Sequence, residues 1–135
     1  MLPELTQHHI GCLVESIAEF RILNSGIWSD DRYSPVYDVS SQDVKVCFLK
    51  MTEDTRLELV EPGTGNLALL KLRSKGLTYY HIAFETKSFD ESVKKLVELN
   101  CKFLTEFKSE AFDGKRCGFL YHPDIRLIEL IEHVS

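Results

Sequence analysis

Short runs of alternating apolar and polar residues recur along this chain, and they come twice in the same order. HHIGCLVESIAEF from His8 lies over YHIAFETKSFDES from Tyr80, setting His9 on His81, Ile10 on Ile82, Gly11 on Ala83, Ser16 on Ser88 and Glu19 on Glu91. VCFLKMTEDTRLELVE from Val46 lies over RCGFLYHPDIRLIELIE from Arg116, setting Phe48 on Phe119, Leu49 on Leu120 and Glu58 on Glu129. The offset changes by one residue between the two blocks.

Each copy predicts the same elements. Period-two runs over His8–Val14 and Tyr80–Thr86 read as strands, each leading into a helix. The helices open with Ser16-x-x-Glu19 and Ser88-x-x-Glu91, the pattern of a capping box, in which the side chains satisfy early amide donors. The first helix falls near Ile17 to Leu23. The second places Phe89, Val93, Leu96 and Val97 on one face. Three strands follow in each copy. The first is weakly marked, around Tyr33–Val39 and Lys102–Phe107. The stronger two are Val44–Leu49 with Leu57–Glu61, and Arg116–Tyr121 with Leu127–Glu132. Asp113-Gly114 predicts a tight turn before Lys115. Between the copies, Pro62-Gly63-Thr64-Gly65 ends a strand, and Asn66–Lys75 reads as a connecting helix with Leu67, Leu70 and Leu72 inward. The predicted class is α+β: two tandem βαβββ modules (about 6–62 and 77–135) and a connecting helix (about 64–76), within one domain spanning 1–135.

Strand parity sorts these residues into two faces. His9, Gly11 and Leu13 share one face against Ile10, Cys12 and Val14; His81, Ala83 and Glu85 share one against Ile82 and Phe84. Glu58 and Val60 oppose Leu57 and Leu59, as Glu129 and Ile131 oppose Ile128 and Leu130. With the apolar faces covered by helices, two histidines and two glutamates are left on the other face. Glu58 follows His9 by 49 positions, and Glu129 follows His81 by 48. A carboxylate inside LEL or IEL costs several kcal/mol to bury unless it is paired or coordinated. Two imidazoles and two carboxylates in matched positions suit one borderline divalent ion, with positions left for water or substrate. Two buried His–Glu ion pairs without an ion are the plainer alternative.

Composition narrows the picture. At 44% hydrophobic and 27% charged, 135 residues can bury a core of ordinary size. A net charge of −5 speaks against nucleic acid, and no apolar run approaches a membrane span. MLPELTQHH lacks a charged segment followed by an apolar one, so no signal peptide is expected. Cys12, Cys47, Cys101 and Cys117 have no CxxC spacing, and they read as reduced thiols of a cytoplasmic protein. His8, His122 and His133 flank strands and read as solvent-facing. Lys115, Arg116 and Arg126 offer charge to an anionic substrate or simply form a solvated edge. Tyr79 and Tyr80 either line the site or pack.

HHIG, LELVEP, YHIAFE, GKRCGFLYHP and LIELIE, taken in order, resemble the vicinal oxygen chelate (glyoxalase/bleomycin resistance/dioxygenase) superfamily over nearly the whole chain. They look most similar to methylmalonyl-CoA epimerases and bacterial glyoxalase-I-like proteins. The resemblance implies a cup-shaped mixed sheet with helices outside, holding one divalent metal ion (nickel, cobalt, zinc, manganese or iron) on His9, Glu58, His81 and Glu129. It implies proton transfer next to a carbonyl, with the metal stabilising the enediolate or enolate, Glu129 as base and Glu58 as its partner. Ser41 stands where the epimerases carry a second glutamate. The loop from His122-Pro123 to Leu127 is shorter than theirs, and EPGTG differs from the glyoxalase I sequence.

The expected function is therefore a metal-dependent isomerase or lyase acting on a small thioester or thiohemiacetal. The alternative is a non-catalytic, resistance-type binding protein of the same fold. An extradiol dioxygenase fits less well, because a glutamate at 58 stands where a second histidine is wanted. The implied partners are a small-molecule substrate, no nucleic acid and no membrane; a homodimer is an assembly that small members of the fold often form.

Overall fold

The computed structural model describes residues 4–133. Residues 1–3, which begin the stretch read for a signal peptide, and 134–135, which close the 1–135 span, lie outside them. The class is mixed α+β, with the order βαβββ, helix, βαβββ. Two compact units form: residues 9–80, and residues 4–8 with 81–133. No helix among the described residues is long and apolar enough to cross a membrane.

The first module runs β1 (Thr6–Leu13), α1 (Ile17–Leu23), β2 (Tyr37–Val39), β3 (Val44–Lys50), β4 (Arg56–Pro62), and α2 (Leu67–Ser74) follows it. Its strands stand in the order β2-β3-β4-β1, antiparallel except for the parallel β1–β4 pair. Cys12, Val14, Cys47, Leu49, Leu57 and Leu59 bury one face against Ile17, with Phe20, Trp28, Tyr33 and Met51 packed around them. That is the face parity assigned to the core. Ser16 caps α1, its hydroxyl accepting from Glu19 N at 3.1 Å, and Glu61 Oε1 accepts from Ile17 N at 2.9 Å. The strand expected from Tyr33 begins only at Tyr37. Tyr33 makes a single bridge to Leu49, and Pro35, which has no N–H to give, interrupts the ladder between them.

The connecting helix departs from the expectation in its facing. Asn66 caps it by accepting from Leu69 N, and donates from Nδ2 to the carbonyls of Gln42 and Asp43. This clasp onto the Ser40–Asp43 turn fixes the helix's rotation. It leaves Leu67 (74% exposed) and Leu70 outward on one i,i+3 stripe, with Leu72 half-buried.

The second module carries β5 (Tyr79–Thr86), α3 (Phe89–Glu98), β6 (Lys102–Ser109), β7 (Lys115–His122) and β8 (Arg126–Glu132). The order is β5-β8-β7-β6, again antiparallel except for β5–β8. Phe89, Cys101, Leu120 and Leu130 form its helix-side core with Phe84, Val93 and Leu96. Val97, expected on this stripe, is 46% exposed. The positions 89, 93 and 96 define the buried line, and the next residue lies ~100° round the helix. The second capping box is also absent: Ser88 makes no side-chain cap. Its N–H instead donates to Thr86 Oγ1 at 3.1 Å, and that hydroxyl lies 2.6 Å from Ser92 Oγ inside the core. Asp113 and Gly114 both take positive φ, 55° and 75°, which is the tight turn expected there. All four cysteines are buried thiols outside any disulfide. Burial pushes the thiols of Cys12, Cys47 and Cys101 up, away from the reactive thiolate.

These contacts separate two serines that look alike in sequence. Ser16→Ala should cost about 1 kcal/mol of unfolding free energy, whereas Ser88→Ala should stay within about 0.5 kcal/mol, read as midpoint shifts in urea.

Candidate metal centre

A buried histidine–glutamate pair sits in each module. In the first, His9 (0% exposed) on β1 and Glu58 (6%) on β4 approach to 3.5 Å, Nε2 to Oε1. In the second, His81 (5%) on β5 and Glu129 (4%) on β8 approach to 3.3 Å through the same two atoms. The strand registers explain the match. Gly11 stands beside Glu58 and Ala83 beside Glu129, so each glutamate neighbours the residue two places after its histidine. The small residue leaves the carboxylate room to lean toward the imidazole.

Each pair is walled by an aromatic ring. Phe48, directly opposite Glu58, meets the His9 ring edge-on at 5.3 Å; Phe119, directly opposite Glu129, meets His81 at 5.7 Å. Phe107 stacks on Phe119 at 5.2 Å. The repeat alignment had already superposed Phe48 on Phe119. Their place beside the histidines could have been read from parity, since 48 and 58, like 119 and 129, share a face across one ladder.

The donor chemistry fits a divalent ion. The two separations exceed an ordinary N–H···O contact of about 2.9 Å. Two donors each about 2.1 Å from one ion lie about 3.0 Å apart at a right angle and about 3.4 Å apart at the tetrahedral angle. Separations of 3.5 and 3.3 Å lie within reach of two donors to one such ion. Imidazole nitrogen and carboxylate oxygen are also the donors that borderline divalent ions take.

The other charged residues have local tasks. His122 Nδ1 accepts from the amides of Asp124 and Ile125, both at 3.0 Å, and closes the β7–β8 turn. His8 is half-buried edge-on to Phe112. Arg116 lies over the Phe89 ring and pairs with Asp90 at 2.6 Å and Glu106 at 3.1 Å, while Arg126 is held by the Tyr121 hydroxyl. Both arginines thus brace the second module. Tyr79 is exposed and Tyr80 half-buried. Ser41 lies in the turn before β3.

His133, half-buried, donates from Nδ1 to Glu85 Oε2 at 2.9 Å. Burial alone would raise the Glu85 carboxyl, but this hydrogen bond and the fields of His8, His133 and Lys115 outweigh it and hold it below the usual carboxylate value.

Residues 8–119 match the family model of the glyoxalase/bleomycin resistance protein/dioxygenase superfamily. The chain is 28% identical over 127 residues to the uncharacterised protein YqjC of Bacillus subtilis (strain 168), covering 92% of this chain and 89% of that one. Its structure is similar to that of a hypothetical protein, BH1468, from Bacillus halodurans C-125, with TM-score 0.79, 26% identity and coverage of 98% and 96%. It is also similar to a variant of the Streptomyces coelicolor methylmalonyl-CoA epimerase in complex with 2-nitronate-propionyl-CoA, with TM-score 0.76, 23% identity and coverage of 98% and 100%.

A carboxyl held low in the folded state stabilises above its unfolded value and loses that contribution as the pH falls through the folded one. The stability gap between the wild type and Glu85→Gln should therefore be open at pH 6 and close as the pH drops below about 4.5 toward 3. Because the pair is partly in solvent, the gap should be no more than about 1 kcal/mol in urea titrations.

Proposed function

This chain belongs to the glyoxalase/bleomycin resistance protein/dioxygenase superfamily, and on that footing we propose that it is a metal-dependent isomerase or lyase, moving a proton next to the carbonyl of a small thioester or thiohemiacetal. The observation that carries this reading is the pair of buried, matched His–Glu half-sites. In the proposal His9, Glu58, His81 and Glu129, each buried and each offering one donor atom, hold a single divalent ion of nickel, cobalt, zinc, manganese or iron. A bound divalent cation supplies charge that offsets the negative charge growing on a carbonyl oxygen as the neighbouring carbon loses its proton.

The chain's own groups do the rest. Glu129, resembling the base of glyoxalase I, takes the proton on a carboxylate oxygen and returns it; Glu58 is its partner across the pseudo-repeat. The two histidines hold the carboxylates in place through the separations already given. Phe48 and Phe119 keep water from the pairs, which strengthens every charge interaction inside. Ser41, in place of the epimerase glutamate, leaves the chain without the second base that an epimerase of the family uses. With Glu129 as the base that must reach both faces of the carbon, epimerisation is slow or confined to one antipode. The fold shared with solved methylmalonyl-CoA epimerases is compatible with isomerase and lyase chemistry alike.

One experiment covers site and chemistry together. The metal-loaded chain is incubated in heavy water with methylmalonyl-CoA and, separately, with the methylglyoxal–glutathione adduct. Deuterium should enter next to the carbonyl of one of them. Glu129→Gln should lower that rate by on the order of 10² or more with metal still bound, and His81→Ala should lose metal and activity together while staying folded. Inertness of both substrates and of related acyl thioesters, with metal present, would favour the non-catalytic binding protein instead.

A further inference from the structure

The connecting helix carries more leucine than its module takes in. Leu67, Leu69, Leu70 and Leu72 lie within the 8 residues of α2 (Leu67–Ser74), and none of them is buried. Leu69 and Leu72 are half-buried, while Leu67 and Leu70 face out. At the C-terminal end Gly76, at φ 85°, turns the chain back so that Leu77 N donates to Leu72 O at 3.2 Å. Such a glycine cap returns Leu77, itself 46% exposed, to the end of the helix. Exposed apolar side chains gathered in this way mark an interaction surface, where single ones do not.

The charge around these leucines has one sign. No acidic residue stands between Glu61 and Glu85, although the chain as a whole has a net charge of −5. Lys71, Arg73 and Lys75 fall in that stretch. Arg73 is tied to Glu15 at 3.4 Å. Lys71 and Lys75 are exposed, one turn apart, and neither makes an ion pair among the described residues. A second copy docked helix to helix would set these lysines against their own counterparts, which like-charge repulsion opposes. A protein groove is the poorer match as well, because protein–protein interfaces favour arginine over lysine, and the one arginine here is engaged. Lysine beside leucine on a surface helix suits a bilayer, where lysine stems reach back to the phosphates as leucines enter the acyl boundary.

We propose that α2 is the surface by which this chain rests on an anionic bilayer, with Leu67, Leu70 and Leu77 entering the headgroup boundary and Lys71 and Lys75 meeting lipid phosphates. The expectation of no membrane partner rests on the lack of a spanning segment, and a helix lying in the plane of the surface does not need one.

Vesicles of phosphatidylcholine, alone and mixed in equal parts with phosphatidylglycerol, are sedimented with the full chain at low and moderate salt. The chain should sediment with the mixed vesicles, less as salt rises, and stay in solution with phosphatidylcholine alone. Lys71→Gln and Lys75→Gln should each weaken partitioning by about 5-fold. Leu67→Ser should weaken it by about 10-fold. Lys102→Gln, at an exposed lysine of β6, should leave it unchanged; an equal loss there would mean nonspecific adsorption by surface lysines and would overturn the proposal. These positions are all exposed, so each variant should keep its circular dichroism spectrum. No sedimentation with the mixed vesicles, or sedimentation indifferent to the helix substitutions, also overturns it. Sedimentation velocity without lipid tests the other occupant: a dimer that Leu67→Ser dissociates would give this face to a second copy instead.

Discussion

Two carboxylates buried in the middle of apolar strands are the constraint on which the rest depends. Glu58 and Glu129 are flanked by Leu57, Leu59, Ile128 and Leu130, all buried. Withdrawing such a group from water costs several kcal/mol unless charge or coordination offsets it. The partners within each module follow from that need: a histidine at a fixed strand position, a glycine or alanine beside the carboxylate, and an aromatic ring across the ladder. A protein that needed only stability would do as well with leucine at both positions. Their retention in both halves points to something the carboxylates do together with the imidazoles.

The sequence made this unusually plain because the chain states its plan twice. Parity along two strands put His9 with Glu58 and His81 with Glu129, and the structure finds each pair in contact. Repetition misled where the two copies diverge. Ser88 copies the pattern of Ser16, but Thr86 takes the bond from its amide, a competition visible only once Ser92 is folded against it. In the connecting helix, leucines at 67, 69, 70 and 72 leave several inward faces open. The rotation is settled by Asn66 gripping two carbonyls 23 and 24 residues earlier, which no local pattern encodes. Val97 failed for a smaller reason, lying one residue past the stripe its neighbours fill.

Charge separates the modules where packing repeats them. The second module spends its arginines internally: Arg116 ties α3, β6 and the Phe89 ring together, and Arg126 folds back on Tyr121. In the first, Lys50 and Arg32 share the carboxylate of exposed Glu53. A fold shared with methylmalonyl-CoA epimerases decides neither substrate nor stereochemistry. Those are set by the side chains around the site rather than by the fold.

The central claim is that both half-sites serve a single ion, and X-ray absorption at the edge of the bound metal tests it most directly. The account predicts a first shell of nitrogen and oxygen only, with the multiple-scattering signature of two imidazoles. A shell with one imidazole or none, or with sulfur from any of the four cysteines, would contradict it.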